Sequence, residues 1–458
     1  MTSKKQKDLI NGSLFKKMLL FSLPLMFSNL LQVLFNMSDV AVVGRFASKE
    51  ALGSVGSTTT YVVLFTGVLI GIGSGINALI ARHLGAQDDG GVSRITHTGF
   101  LLSIIIGIIL LGIGIGIVRP MLVLLKTKPE LLDDAVSYVY VVFLGLPALA
   151  IYNYGNGILS ADGDTKKPLI ILASAGVINI LLNLLFVIVC SLSVIGVALA
   201  SIISQYISAI CIIFVLAHTK RPYRLHLKQL RLNKKEVKDI LSLGLPAGIQ
   251  NAIFSMANLF IQSGVNSFDT IVVEGNAVAA NTDTLIYDVM AAFYMAISSF
   301  IAQNYGAGKN ENILKCYFIG LFYSCMFGMV LGFGFVLLGK NFLSLFSTDD
   351  AVLEAGMKRL IVMGFSYFIS SFMDATIAAL RGLGKTILPT IFLIFGSCIF
   401  RIIWVYTIFA YFKTITSLYL LYPISWTITA CCVNVYFVIV YKKIFKGSKE
   451  NLSIEMAD

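Results

Sequence analysis

The chain alternates long apolar runs with short polar segments. A run such as Leu101 to Val118 is apolar at nearly every position. It shows neither the alternation of a half-buried strand nor the polar stripe of a surface helix. About 20 apolar residues in a helix cross about 30 Å of hydrocarbon. On that measure the pattern predicts twelve spans: 16–43, 51–80, 94–118, 135–158, 167–189, 194–217, 240–266, 275–302, 314–338, 356–380, 387–410 and 416–441. A transmembrane barrel is excluded, because its strands alternate apolar and polar residues. The first run is longer than the core of a signal peptide, and no small-residue cleavage site closes it. It reads as a retained span.

Composition agrees. The 458 residues are 57% hydrophobic and 13% charged, and the mean hydropathy is +0.85. Average soluble chains are about half apolar and about a quarter charged. A cytosolic enzyme, a secreted disulfide scaffold and a disordered chain are excluded. The net charge of +11 does not imply a nucleic-acid partner, because the cations lie in short segments between spans. Most of the 35 lysines and arginines fall in the N-terminal segment, the loops after even-numbered spans and the C-terminal tail. That bias predicts a multi-pass protein of the cytoplasmic membrane with both termini in the cytoplasm, which requires an even number of spans. The longest polar segment is HTKRPYRLHLKQLRLNKKEVKD (218–239). It reads as a linker whose cations set topology and touch anionic lipid headgroups. The expected domains are an N-terminal six-helix lobe (1–219), a basic cytoplasmic linker (220–239) and a C-terminal six-helix lobe (240–458).

The seven cysteines lie in or beside apolar stretches without CxxC spacing and read as packing residues. All four histidines fall in segments assigned to the cytoplasm. There is no HExxH, nucleophile elbow or phosphate loop, so neither an enzyme nor a resident cofactor is expected. GIGSG (71–75) and GIGIG (112–116) lie inside apolar helices and read as close helix packing.

A shift of 221 or 222 residues brings the halves into register. SLPLMFSN (22–29) lies over GLPAGIQN (244–251), INALIARHLGAQ (76–87) over ISSFIAQNYGAG (297–308), and LSADGDTKKP (159–168) over LRGLGKTILP (380–389). Six spans per half make this a parallel repeat, a plan that transporters use. The predicted fold is an all-α polytopic membrane protein with twelve transmembrane helices in two parallel six-helix repeats.

Ionisable groups inside a bilayer are costly, so each is a functional candidate. They are Asp39 in the first span, Asp283 and Asp288 in the eighth, Asp374 in the tenth and Arg401 in the eleventh. Asp39 can take a proton, or hold Na⁺ with neutral oxygen ligands. Asn36 shares its helical face, and Pro24 removes a backbone hydrogen bond and forms a candidate hinge. Asn179 and Asn183 share a face of the fifth span at i and i+4, and Ser201 lies on the sixth. Arg401 demands a carboxylate partner, with Asp374 preferred and Asp283 second. This C-terminal network is either a fixed ion pair or a site in which Asp283 binds a cation. Candidate substrate contacts are Asn258, Gln262 and Asn266 on the seventh span, and Tyr287, Met290, Phe293 and Met295 on the eighth.

The chain resembles multidrug and toxic compound extrusion (MATE) transporters of bacteria. The resemblance rests on a proline-containing first helix ending in NMSDVAVVGRF (36–46), the loop starts RHLGAQ and QNYGAGK, the loop LRGLGKTILP, GLPAGIQN at the start of the second half and FRIIW (400–404). It covers nearly the whole chain. It implies two six-helix lobes in a V, and a cation-driven antiporter that expels amphipathic, often cationic compounds. It also implies a first-helix carboxylate site at Asp39, completed by the polar positions Asn179, Asn183 and Ser201. Many relatives carry Asp–Pro where this chain has Asn183 and Leu184, which favours H⁺ over a two-carboxylate Na⁺ site. The expected partners are small amphipathic molecules and membrane lipids, and the chain is expected to act as a monomer. A lipid-linked saccharide flippase of the same superfamily is the alternative; it calls for a deeper cationic cavity. A major-facilitator carrier calls for a Gly–Asp–Arg-rich loop after the second span, and RHLGAQDDGG is not one.

Overall fold

The computed structural model describes residues 9–125, 127–344 and 347–455; residues 1–8, with which the expected first domain begins, and Lys126 lie outside the described residues. Among the described residues the regular elements are helical. The first half comprises α1 (Leu14–Phe46), α2 (Lys49–Gly85), α3 (Asp89–Leu124), α4 (Pro129–Phe143), α5 (Leu146–Ala161), α6 (Lys166–Leu184) and α7 (Ser193–His218). The second comprises α8 (Lys234–Val265), α9 (Thr270–Gly306), α10 (Asn310–Leu337), the short α11 (Gly339–Leu343), α12 (Asp350–Gly364) and α13 (Tyr367–Gly382). It continues with α14 (Ile387–Leu393), α15 (Phe400–Trp404), α16 (Ala410–Phe412), α17 (Ile415–Tyr419) and α18 (Leu421–Glu455). Wider π-helical turns extend α6 over Leu185–Val189 and join α14 to α16 into one span.

Ten stretches are long and apolar enough to cross a membrane as single helices, and two bent pairs raise the number to twelve. Those pairs are α4 with α5, bent by 46°, and α12 with α13, bent by 48°. At the first bend Pro147 opens α5 and supplies no backbone N–H. At the second, Ser366 Oγ donates to the Val362 carbonyl at 2.5 Å, competing with the helical ladder.

The repeat seen in the sequence recurs in element boundaries. α2 begins at Lys49 and α9 at Thr270, α4 at Pro129 and α12 at Asp350, α6 at Lys166 and α14 at Ile387, each 221 residues apart. The loops repeat as well. Helix ends favour a residue in the left-handed region, where the chain turns and the last carbonyls find donors. Gly163 (φ 82) and Gly384 (φ 76) occupy that position in one loop pair. Gln87 (φ 55) and Gly308 (φ 70) occupy it in the other. Each turn is closed by the same wide hydrogen bond: Asp164 to Leu159 and Lys385 to Leu380, Asp88 to His83 and Lys309 to Asn304.

The chain forms two compact units. Unit 1 contains Leu23–Ser255, and unit 2 contains Leu9–Ser22 with the residues from Met256 onward. α1 is therefore divided two residues before Pro24, although its helix runs unbroken through that proline. In unit 1 the glycines of GIGSG let α2 cross α8 backbone against backbone. A Cβ at Gly71 would lie 2.2 Å from the amide nitrogen of Gly248, and one at Gly75 would lie 2.6 Å from that of Gly244. GIGIG behaves differently: only Gly114 is packed, beneath the Phe143 ring, while Gly112 and Gly116 face open space.

The linker is clasped to unit 1. Buried Tyr223 donates to Asp162 at 2.9 Å, and the Arg231 carbonyl accepts from Thr98 at 3.1 Å. Burial pushes the Asp162 carboxyl above its ordinary range, against the lowering effects of Tyr223 and Arg221. The last residues assigned to the linker, from Lys234, form the opening turns of α8.

Candidate functional site

Asp39 sits near the end of α1, seven residues before Phe46. Two donors reach its carboxylate. Asn183 Nδ2 of α6 donates to Oδ1 at 2.5 Å, and the Ser201 hydroxyl of α7 donates to Oδ2 at 3.1 Å. Asn179 ties these together: its amide donates to Ser201 Oγ at 3.4 Å, and its Oδ1 accepts from Asn183 at 3.2 Å. Asn179 and Asn183 are buried, and Asn183 Oδ1 has no hydrogen-bond partner. An unmatched buried acceptor beside a carboxylate is costly unless something donates to it or a cation sits against it.

Local packing explains how the helices meet. Gly176 lies one turn before Asn179, and a Cβ there would stand 1.8 Å from the Phe35 ring. The missing side chain lets Phe35, one turn before Asp39, press α1 onto α6. Tyr138 of α4 lies within electrostatic reach of Asp39. Sequence reasoning did not identify it. Asn36 was expected on the same face, but it is exposed and the hydrogen bonds of the cluster do not extend to it.

The cluster offers one carboxylate and several neutral oxygens. That donor set fits a monovalent cation or a proton. No group of three or more His, Cys, Asp or Glu side chains suited to a divalent ion occurs among the described residues.

Unit 2 holds a second polar network, and here the expected pairing is corrected. The carboxylate that takes an arginine directly is Asp283 rather than Asp374, and its arginine is Arg359 rather than Arg401. Arg359 reaches Asp283 Oδ2 through Nε at 2.9 Å and Nη2 at 2.5 Å, while Tyr367 donates to Oδ1 at 2.5 Å. Arg359 Nη1 also donates to Asn276 Oδ1 at 2.7 Å, which accepts from Tyr419 at 3.1 Å. Arg359 was not among the residues singled out in the sequence, yet α12 carries it into the interior at 7% exposure. Arg401 is fully buried. It donates to Ser425 Oγ at 3.1 Å and Asn258 Oδ1 at 3.5 Å. Its guanidinium lies 4.7 Å from the Tyr422 ring centre, and that of Arg359 lies 5.3 Å from the same ring. Aromatic faces attract cations, so Tyr422 serves both arginines. Asp374 is buried on α13, within electrostatic reach of Arg381, Arg401 and Tyr287.

The other expected contacts divide. Gln262 donates to Asn266 at 2.8 Å and accepts from Asn276 at 3.5 Å, joining the Arg359 network. Tyr287 is 46% exposed. Of the other candidate contacts on α9, Met290 and Phe293 are fully buried. The Tyr residues of this network carry no sequence signal by themselves. The repeat offset would have drawn attention to two residues, since it places Arg359 opposite Tyr138 and Tyr422 opposite Ser201.

Comparison with known proteins agrees with this plan. The chain is similar to the probable multidrug resistance protein YoeA of Bacillus subtilis (strain 168), 25% identical over 450 residues, covering 96% of each chain. It is also similar to the probable multidrug resistance protein YpnP of the same organism, 30% identical over 311 residues, covering 68% of this chain and 69% of the relative. The fold matches the solved structure of a MOP superfamily transporter from Pyrococcus furiosus with a TM-score of 0.90 at 21% identity, covering 97% of this chain and 99% of the other. The MatE family model matches twice, at residues 24–185 and 246–407, once in each repeat. With both repeats matched, the chain belongs to the MatE family of polytopic membrane transporters.

Proposed function

We propose that the chain is a secondary antiporter of the cytoplasmic membrane, with both termini in the cytoplasm. It exports small amphipathic and cationic compounds in exchange for inward H⁺ or Na⁺. Asp39 carries the coupling cation, and Asn179, Asn183 and Ser201 complete its site. The names of the Bacillus relatives support multidrug export, and the hydrogen-bonded Asp39 cluster carries the coupling assignment.

The geometry gives the cation something to act on. As described, Asp39 only accepts hydrogen bonds. A proton on Asp39 turns one oxygen into a donor, and a half-turn of the Asn183 amide presents the unmatched Oδ1 to it. Na⁺ would meet the same oxygen beside the carboxylate. Either cation rearranges the contacts among α1, α6 and α7, so it binds the alternative arrangements with different affinity. That difference is what coupling requires. Pro24 supplies a point in α1 where a backbone hydrogen bond is missing and bending costs little. Asp283, Asp374 and Arg401 act as the polar framework of unit 2, and Asn258, Gln262 and Tyr287 are its candidate substrate contacts.

The test is efflux from proteoliposomes under H⁺ and Na⁺ gradients imposed separately. One gradient should drive wild-type efflux of a cationic dye, and Asp39→Asn should abolish the driven component while the purified protein keeps its thermal stability. Full gradient-driven efflux by that variant would reject the assignment.

A further inference from the structure

Two open cavities occur at one place in the two repeats. The first, of about 670 Å³, lies in unit 1 at the opening turns of α8, where Lys234 and Lys238 share it with Leu232 and Leu241. The second, of about 700 Å³, lies in unit 2 where the start of α1 meets α10, and Lys309 and Lys315 share it with Phe15 and Phe318. The 222-residue shift lays Phe15 over Val237 and Ile10 over Leu232, so the same corner of each repeat is hollow.

The linings have one chemistry. Each holds two lysines, and no carboxylate lines either cavity among the described residues. Lys309 is steadied by a neutral acceptor, Asn11 Oδ1 at 2.5 Å, which fixes the ammonium without cancelling its charge. Apart from Ser242 in the first cavity and Asn11, Ser13 and Asn312 in the second, the remaining walls are mainly apolar and open to the surroundings: Phe15 is 48% exposed, Phe318 59% and Leu232 45%. Both cavities lie at the first turn of a span, where polar chain gives way to the apolar run. Ammonium groups over an outward-facing apolar wall, at the level where hydrocarbon ends, complement a phosphate with acyl chains attached.

We propose that each cavity is a binding site for an anionic phospholipid, the phosphate held between the paired lysines and the glycerol and upper acyl chain laid on the apolar wall. A soluble phosphate would use the lysines alone and leave the apolar wall uncovered. The lipid uses both.

The test measures lipid retention by the purified full chain in detergent, by native mass spectrometry and by the shift in thermal unfolding. The probes are dioleoylphosphatidylglycerol, dioleoylphosphatidylcholine and inorganic phosphate. Wild type should retain up to two phosphatidylglycerol molecules in preference to phosphatidylcholine. The pair Lys234→Gln/Lys238→Gln and the pair Lys309→Gln/Lys315→Gln should each lose one of them, with affinity at that site falling on the order of tenfold or more. The corresponding arginine pairs should keep both, which separates loss of charge from loss of fold. Equal retention of the two lipids would overturn the proposal, and so would glutamine variants that retain phosphatidylglycerol like wild type. Displacement of the lipid by inorganic phosphate alone would reassign the lysines to a soluble anion and also overturn it. None of these measurements reads transport, so they stand apart from the coupling role of Asp39.

Discussion

Gly176 shows how little separates a working carboxylate site from a merely polar one. Its Cα hydrogen faces the Phe35 ring, and a methyl group there would occupy the ring's own space. Overpacking of this kind typically costs about 1–3 kcal/mol, relieved by moving one helix off the other. Here the helix that moves carries Asp39. Gly176→Ala should therefore reduce gradient-driven efflux more than it reduces the amount of folded protein. Adding Phe35→Ala should restore much of the efflux, because the truncated ring leaves room for the methyl. Dye efflux normalised to protein in the liposomes measures both; no recovery in the double variant would mean that Gly176 acts otherwise than through Phe35. Asp39 was legible in the sequence, because a carboxylate in an apolar run marks itself; that Asn183 and Ser201 join it was implied by the family resemblance, since Ser204, Gln205 and Ser208 are as polar in the same span as Ser201. Gly176 was not legible, since one glycine among 39 is silent until the ring facing it is known.

At the scale of elements, the buried ion pair between Asp283 and Arg359 joins α9 to α12, and Asn276 and Tyr367 hold its remaining oxygens and hydrogens. Replacing one partner of such a pair leaves the other charge buried without compensation, which costs about 3–5 kcal/mol, whereas replacing both with apolar groups is often neutral. Asp283→Asn alone should strongly lower the unfolding temperature in detergent. Asp283→Asn combined with Arg359→Met should recover most of that loss. If the double variant is as unstable as the single, the pair is not what holds α9 to α12. Hydropathy placed the span but could not place Arg359, because it follows Lys358 near the polar end of a helix that bends at Phe365. The bend lets a shorter, more polar helix complete the crossing, so a guanidinium near the polar start of the predicted span 356–380 is carried inward. Arg401 was legible as buried because apolar residues flank it on both sides. Its aromatic neighbour Tyr422 was not, since a tyrosine in an apolar run is ordinary.

Across the whole molecule, the repeats keep one frame and fill it differently. The 221-residue offset that superposes helix starts and left-handed turns places Tyr138 over Arg359 and Ser201 over Tyr422, and the 222-residue offset that aligns the two prolines, Pro24 and Pro246, places Asp39 over Ile261. The corner that is acidic in unit 1 is thus arginine-rich in unit 2, so the carboxylate proposed for coupling has no counterpart at the matching position of the other repeat. A parallel repeat of six spans also fixes topology. An even number per half returns each half to the side where it began, and the proposed topology puts the linker on the side of the lysine-rich loops. The exposed linker residue Gln229 and the exposed Glu130 in the first turn of α4 should then lie on opposite faces of the membrane. In a chain whose seven cysteines have been replaced, Gln229→Cys should react with a membrane-impermeant maleimide only when the cytoplasmic face is exposed. Glu130→Cys should react from outside intact cells. Labelling of both positions from one side would break the six-plus-six arrangement, and with it the reading of the basic segments as cytoplasmic.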